Sequence, residues 1–343
     1  MATKKEAGAA PAAGTGRGAA IPPPPPAAAQ GEPTACAVGT EHGTDGTGQG
    51  ADGTGQGAGT VTTPTGRKFR LAFRRPDLAV GHRVLIYGAP GKGKTTLMLR
   101  GLPRPLVAFD FDQSIERLLA KPAAESGIDP DEVYLADVPR DAEGRLDYGA
   151  FLAILRDRSN FEGVRSVLVD TGTFAEKAIE PYMFEHPDKY PTGNSKKPKA
   201  TSLADYAFRG GNIYKQDLYQ LMLGYLDNLA TAHVHVGLVY HTAVGKVPNL
   251  GNADGYSLQY QPDSWQAGKT SLADTAMGWA DHVGAIRDET VPDGAGGKVE
   301  RVVGGPVISF VGDGVWIGKS RTLVGEAATV PLSEFSLGML GVR

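Results

Sequence analysis

Residues 88–95 read Gly-Ala-Pro-Gly-Lys-Gly-Lys-Thr, and this stretch decides the fold. It satisfies the phosphate-binding pattern G-x-x-x-x-G-K-[ST], in which each fixed position has a mechanical task. The glycines permit a tight turn that aims successive backbone N–H groups at phosphate oxygens. Lys94 can reach the β- and γ-phosphates, and the Thr95 hydroxyl can ligate Mg²⁺, so ATP and Mg²⁺ are the predicted cofactors. The predicted nucleotide contacts are Gly88, Ala89, Pro90, Gly91, Lys92, Gly93, Lys94, Thr95 and Thr96.

The flanks of this loop support the same interpretation. Residues 83–87 (RVLIY) form a short apolar run typical of a buried strand, and residues 96–100 (TLMLR) continue as a helix. A loop that leads into a helix N-terminus gains from the helix dipole, which favours a bound phosphate. The alternative is a glycine-rich turn that matches by accident in a chain with 47 glycines, but this does not account for the flanks.

Residues 1–66 have the composition of a disordered segment. Five prolines run from 22 to 26, and the heptad DGTGQGA at residues 45–51 repeats at residues 52–58. Such a segment has almost no apolar surface to offset its chain entropy. We predict a disordered tail over residues 1–66 and one ATPase domain over residues 67–343. The tail is interpreted as a solvated tether, with partner binding or filament spacing as the alternative.

Charge and cysteine content narrow the class of protein. The formal net charge is −3, so any nucleic-acid binding must come from local basic patches. Cys36 is the only cysteine, which excludes a disulfide framework and a thiolate metal site. No apolar run approaches membrane-spanning length, and the N-terminus does not lead into the hydrophobic core of a signal peptide. We therefore expect a cytoplasmic protein with no membrane partner.

From residue 67 onward, apolar runs alternate with helical patterns. This alternation predicts an α/β fold with a mostly parallel sheet flanked by helices. Short apolar runs near the C-terminus, broken by Gly-Gly-Pro and Gly-Asp-Gly, predict antiparallel strands there. The predicted strands are 105–109, 132–137, 167–170, 234–240, 302–303, 307–311 and 315–317, and the predicted helices are 114–120, 148–158 and 213–230.

Asp170 is the candidate for the second metal ligand. A Mg²⁺-dependent NTPase needs a carboxylate near the metal, delivered by the end of a neighbouring strand. Asp170 follows three apolar residues and fits this requirement beside Thr95. Its alternative role is to cap a helix that begins at residues 171–173.

Asp112 is the predicted general base. The residue after Asp170 is Thr171, whereas many P-loop ATPases carry a water-activating glutamate there. Asp112 ends the strand that follows the P-loop helix, with Asp110 beside it, and activation of water requires only a positioned carboxylate. The alternative is that Asp112 caps the helix that begins near Ser114.

Together these motifs resemble the RecA-like ATPase superfamily and, more narrowly, the phage-encoded RecA-like "AAA" proteins of single-strand annealing and recombination. The resemblance spans roughly residues 69–340. It implies a RecA-like P-loop core acting on single-stranded DNA, a homo-oligomer with ATP at subunit interfaces, and replication or recombination proteins as partners. In that superfamily the activating acid is typically glutamate, so Asp112 is one methylene shorter. The matching segments are 88–95, 109–112 (FDFD), 167–170 (VLVD), the strand that ends in His241, 280–283 (ADHV) and 319–321 (KSR).

His241 occupies the position where the family places a sensor of the γ-phosphate. An imidazole there can bond the phosphate and shift the following loop on hydrolysis. An ordinary polar strand end is the alternative. A metal site with His233 and His235 is excluded because the ends of that strand lie roughly 25 Å apart by strand rise.

The stretch 242–270 is predicted to be a long glycine-rich loop, and the resemblance implies that it faces DNA. Aromatic residues interleaved with lysines suit base stacking and phosphate neutralisation. A second basic segment, residues 182–199, is the other candidate, and solvated surface loops are the alternative for both. The predicted DNA contacts in the first stretch are Lys246, Tyr256, Tyr260, Trp265 and Lys269.

Lys319 and Arg321 alternate on a predicted strand end and so point to one side. The resemblance implies that such a pair reaches the γ-phosphate of a neighbouring subunit and makes hydrolysis depend on assembly. A solvated basic turn is the alternative.

Three other classes of P-loop protein fit less well. A small-molecule kinase needs an arginine-rich lid, and residues 242–285 contain no arginine. Partition-type ATPases carry an extra lysine at the position of Ala89, and a helical AAA+ lid does not suit the β-rich C-terminus. A nucleotide-switched helicase loader with slow hydrolysis remains the main alternative function.

Overall fold

The computed structural model describes residues 58–62, 68–72, 80–141, 143–248, 256–267, 270–293, 299–323 and 328–342. The chain divides into two units, Met1–Arg74 and Arg75–Arg343. In the first unit, strands β1 (Ala58–Thr62) and β2 (Lys68–Ala72) form an antiparallel pair. Strand β1 lies within the segment 1–66 that is predicted to be a disordered tail. Residues 1–57 and 63–66 of this segment lie outside the described residues, and both the disordered tail and the domain boundary stay predictions.

The second unit is built on an eight-stranded sheet. Its order is β14-β13-β12-β3-β7-β6-β4-β5, in which the six strands from β12 to β5 are parallel and β13 and β14 are antiparallel. The strands of this unit are β3 (Arg83–Gly88), β4 (Leu106–Asp110), β5 (Val133–Leu135), β6 (Ser166–Asp170), β7 (His235–Tyr240), β8 (Thr242–Pro248), β9 (Tyr256–Pro262), β10 (Gln266–Ala267), β11 (Thr270–Ser271), β12 (His282–Asp293), β13 (Val299–Ser309) and β14 (Thr329–Pro331). The predicted α/β class with antiparallel C-terminal strands is confirmed.

Helices cover both faces of this sheet, which is why its central strands are continuous apolar runs. On β3, Leu85 and Tyr87 belong to a core with helices α4 to α8, whereas Val84 and Ile86 belong to a second core with α1, α2 and the C-terminal segment. The helices are α1 (Lys94–Gly101), α2 (Ile115–Leu119), α3 (Ala123–Ser126), α4 (Tyr148–Arg156), α5 (Gly172–Lys177), α6 (Ile179–Glu185), α7 (Gly210–Thr231) and α8 (Leu272–Trp279). Short 3-10 helices span Arg158–Phe161, Leu203–Asp205, Ala207–Arg209 and Leu337–Leu340.

The prediction of one long loop over residues 242–270 is wrong. Strands β8 and β9 form an antiparallel hairpin, and β10 and β11 form a second, shorter one. In β8–β9 the cross-strand pairs Val244–Tyr260 and Lys246–Leu258 lie on one face. Residues 256–261 (YSLQYQ) do alternate apolar and polar side chains as a strand does, whereas a glycine interrupts the pattern of β8.

The C-terminal strands also differ in detail from the prediction. Residues 302–303 and 307–309 belong to one strand, β13, and the register shift opposite Asp288 accommodates Gly304 and Gly305. Residues 315–317 form no strand: Trp316 makes only an isolated bridge to Tyr260. Among the described residues, no helix is long and apolar enough to cross a membrane.

Candidate nucleotide-binding site

The P-loop joins the carboxyl end of β3 to the N-terminus of α1. Gly91 and Gly93 have φ of 75° and 85°, in the left-handed region that favours glycine. Gly88 meets a different demand, because a Cβ there would lie 2.7 Å from the carbonyl oxygen of Ile286 on β12. Glycine is therefore needed in this loop for two reasons: Gly91 and Gly93 adopt a left-handed backbone conformation, and Gly88 packs closely against the neighbouring strand.

Lys94 points back into its own loop. Its side chain is buried, and Nζ donates a hydrogen bond to the Ala89 carbonyl at 3.0 Å. Burial lowers the pKa of Lys94, and the nearby carboxylates of Asp170 and Asp112 oppose that shift. The ammonium is thus held in the loop by a single carbonyl, which a phosphate oxygen can replace.

Thr95 and Asp170 meet at the base of the site. The Thr95 hydroxyl donates to Oδ2 of Asp170 at 2.5 Å, and Asp170 ends β6 with no exposed surface. Oδ1 of Asp170 is buried without a hydrogen-bond partner among the described residues. Burial, together with the nearby Asp112 and Asp110, raises the pKa of Asp170 to about 7. A hydroxyl beside a buried carboxylate with a free oxygen fits a Mg²⁺ ion, whose preferred ligands are oxygens.

The alternative role of Asp170 as a helix cap is not what the structure shows. The N-cap of α5 is Thr171, whose hydroxyl accepts from the backbone N–H of Phe174 at 3.3 Å. Asp170 is therefore left to face the P-loop.

Asp110 and Asp112 divide the two roles that the sequence left open. Asp110 accepts from the backbone N–H groups of Ser114 at 3.0 Å and Ile115 at 2.8 Å, and so caps α2. Burial raises the pKa of Asp110. Asp112 accepts one bond from Ser114 at 3.2 Å, is exposed, and lines the same cavity as Lys94. The predicted position of Asp112 beside the P-loop is thus compatible with a general base.

His241 follows β7 and lines this cavity too. Its backbone N–H donates to the Thr173 hydroxyl at 3.4 Å, and its carbonyl accepts from Asp263 at 2.8 Å. Nδ1 is buried without a partner among the described residues. Burial and the positive charge of Lys94 lower the pKa of His241, so the imidazole is neutral near pH 7.

One cavity of about 410 Å³ gathers these groups. Sequence reasoning missed three of its polar lining residues, Gln113, Arg117 and Lys121, which lie on or beside α2. Two of them could have been found in the sequence, because Arg117 and Lys121 lie four residues apart in the segment that follows Asp112. The cavity is lined by Pro90, Gly91, Gly93, Lys94, Thr95, Thr96, Asp112, Gln113, Ser114, Arg117, Leu118, Lys121, Asp170, Thr171 and His241.

Lys92 takes a different direction from Lys94. Its Nζ bonds both carboxylate oxygens of Asp288 on β12, at 2.7 and 2.9 Å. The P-loop is thereby tied to the edge of the parallel part of the sheet.

The predicted finger residue Lys319 is wrong as placed. Its Nζ donates to the carbonyls of Met277, Gly278 and Ala280 at 3.1, 3.0 and 2.7 Å, and so caps the C-terminus of α8. Burial lowers the pKa of Lys319. Arg321 pairs with Asp281 at 3.2 Å and keeps 60% of its side chain exposed.

The predicted DNA contacts are spread over different environments. Tyr260 stacks on Trp316 at 4.3 Å, and Trp265 packs against the core with Lys215 over its ring at 5.1 Å. Lys246 is exposed on β8. The side chain of Tyr256 and the whole of Lys269 lie outside the described residues. Tyr260 and Trp265 therefore already use a ring face within the chain.

The end of the β8–β9 hairpin is fixed to the helix that follows Asp170. Glu176 on α5 accepts from the Trp265 N–H at 2.8 Å and from the Ser264 hydroxyl. Lys215, 3% exposed, pairs with Glu176 at 3.4 Å and with Glu180 at 2.8 Å. These contacts join α5, α6 and α7 beneath the hairpin.

Sequence reasoning missed an exposed aromatic residue that lies a few residues beyond the second basic segment. Phe208 is 99% exposed and, like Arg209, has a positive φ, at 52° and 63°. The neighbouring Ala207 N–H donates to the Thr192 carbonyl at 2.8 Å. Phe208 therefore stands beside the turn that carries Lys196, Lys197 and Lys199, all exposed.

The described residues contain no group of three or more His, Cys, Asp and Glu side chains that could hold a metal ion. The Thr95–Asp170 pair is a different kind of site, because phosphates and water complete the coordination of Mg²⁺ in such proteins.

Comparison with known proteins gives a fold-level likeness only. No protein-family model matches this chain. No curated protein matches it either. Among solved structures, the crystal structure of the RadB recombinase matches over 67% of this chain and 80% of that chain, at 16% identity and a TM-score of 0.34. This likeness assigns no role to any residue.

Proposed function

We propose that this chain is a RecA-like, Mg²⁺-dependent ATPase. The observation that carries the proposal is the contact of Thr95 with a buried Asp170 at the base of a cavity walled by the P-loop. A hydroxyl and a carboxylate in this relation to a P-loop lysine are what a metal-bound triphosphate requires.

Each residue has a distinct task in this proposal. Lys94 exchanges the Ala89 carbonyl for phosphate oxygens, and Thr95 and Asp170 hold Mg²⁺, which neutralises charge on the phosphates when bound. Asp112 orients the attacking water and accepts its proton. His241, which lines the cavity, forms a hydrogen bond with the γ-phosphate through its imidazole.

Single-stranded DNA is the proposed partner, in phage-type recombination, annealing or replication. Two surfaces support this: the β8–β9 hairpin with exposed Val244, Lys246 and Leu258, and the turn that carries Phe208 and the lysines. An exposed aromatic ring among cations suits base stacking combined with phosphate neutralisation. Assembly with ATP at subunit interfaces stays part of the proposal, with Arg321 as the finger residue.

ATP hydrolysis measured with and without single-stranded DNA tests this function. We expect Mg²⁺-dependent hydrolysis that rises on addition of DNA. Slow hydrolysis, negligible DNA affinity and ATP-dependent capture of a helicase would instead indicate the loader. Absence of ATP binding would contradict both.

A further inference from the structure

The nucleotide cavity holds more acid than its P-loop lysine can balance. Asp112 and Asp170 both line it, and a metal-bound triphosphate adds further negative charge. Lys92 is bonded to Asp288 and Lys319 to the end of α8, so neither faces the cavity. Beyond the charge of a bound Mg²⁺, any further positive charge for the phosphates has to come from other residues around the cavity.

Arg117 on helix α2 and Lys121, two residues after its end, bring two cations to the cavity. Arg117 and Lys121 line the cavity, and both are exposed. Neither side chain forms an ion pair or hydrogen bond with another described residue. Arg117 also lines the adjacent cavity of about 510 Å³, whose acidic residues include Glu116 and Asp137. The guanidinium of Arg117 can therefore turn toward either of these two cavities.

Helix α2 is firmly placed. Asp110 caps its first turn with two hydrogen bonds, and Ile115 is fully buried in the core beneath. Because Asp112 lies three residues before this helix and Lys121 two residues after it, the placement of α2 sets the positions of the general base and of both cations. A change that moved Arg117 would also move Asp112.

We propose that Arg117 and Lys121 bind the phosphates of the nucleotide from within the same chain. The inference rests on the proposed ATP site and deepens it: positive charge for the phosphates is supplied within the chain, by α2 and the residues that follow it, in addition to the proposed finger Arg321. Arg117 turns toward the triphosphate because a guanidinium bonds phosphate oxygens through several N–H groups.

Affinities for ATP, ADP and AMP separate a contact with the β- and γ-phosphates from a contact with the base, ribose or α-phosphate. Arg117→Ala and Lys121→Ala are each compared with wild type and with Arg158→Ala, a control at an exposed arginine outside the cavity. We expect each cavity variant to lose about tenfold or more in ATP affinity, less in ADP affinity and nothing for AMP. Arg117→Lys should recover part of the loss.

Three outcomes overturn the inference. The first is an equal loss of affinity for ATP and for AMP in a cavity variant. The second is no loss of ATP affinity in either cavity variant when the wild type does bind ATP. The third is recovery of hydrolysis when Arg117→Ala chains are mixed with Lys94→Ala chains, which would place the cation in a neighbour. Failure of wild type to bind ATP at all would overturn the proposed function and this inference with it.

Discussion

Asp170 combines a buried carboxylate, a hydroxyl neighbour and one oxygen that has no hydrogen-bond partner in the described part of the chain. Burial in the sheet disfavours its charged form, and the nearby Asp112 and Asp110 add to that effect. A cation at Thr95 and Asp170 would reverse this balance by stabilising the ionised carboxylate. The residue thus links protonation, metal binding and stability.

This linkage gives Asp170 a defined pH dependence. The pKa of Asp170 is raised to about 7 in the folded chain, against about 4 in an unfolded one. Between these values the folded chain holds a proton that the unfolded chain lacks, so the free energy of unfolding falls as pH rises through this window. Asp170→Asn cannot ionise. In the absence of Mg²⁺ and nucleotide, we therefore expect the Tm of Asp170→Asn minus the Tm of wild type to be larger at about pH 8 than at about pH 5.

Thermal melts across that pH range check this expectation. Asp157→Asn, at an exposed residue outside the cavity, is the control. Parallel curves of Tm against pH for wild type and Asp170→Asn would contradict the prediction, because they would show that the Asp170 carboxylate is ionised throughout this pH range.

At the scale of elements, the ends of helices decide two assignments. Lys319 is a cap for α8, because three carbonyls at the end of that helix converge on one ammonium. The element α2 is held by Asp110, which leaves Asp112 free to face the cavity.

The cap assignment predicts a stability effect without a catalytic one. Lys319→Met should lower the free energy of unfolding by about 1–2 kcal/mol, since the carbonyls of Met277, Gly278 and Ala280 lose their shared donor. Arg321→Ala, in an exposed ion pair, should cost less than about 1 kcal/mol. Urea unfolding measures both. A Lys319→Met protein as stable as wild type but inactive in ATP hydrolysis would restore the finger role.

For Phe208 we predict the reverse of the Lys319 result, namely a loss of function without a loss of stability. Phe208→Ala should leave Tm unchanged because the ring is 99% exposed. It should weaken binding of single-stranded DNA by about 1–3 kcal/mol, the usual contribution of one stacked base. Fluorescence anisotropy with a labelled oligonucleotide measures this, with Ile213→Ala at another exposed apolar residue as control. Unchanged affinity for Phe208→Ala would exclude this surface.

At the scale of the whole molecule, parts governed by local spacing were predictable from the sequence. The P-loop, the strand-end carboxylates and His241 lie together because neighbouring parallel strands end at one edge of the sheet. Lys319 was misassigned because its partners lie some forty residues away, at the end of α8. The cations on and beside α2 and the exposure of Phe208 likewise depend on tertiary packing, which periodicity does not encode.

The central claim is that this cavity binds Mg²⁺-ATP through Lys94 and hydrolyses it through Asp112. Its most direct test is one titration and turnover experiment on wild type, Lys94→Ala and Asp112→Asn. We predict that Lys94→Ala loses ATP binding, whereas Asp112→Asn keeps binding and loses turnover by about 10²-fold or more. Normal ATP binding by Lys94→Ala, or normal hydrolysis by Asp112→Asn, would contradict the account.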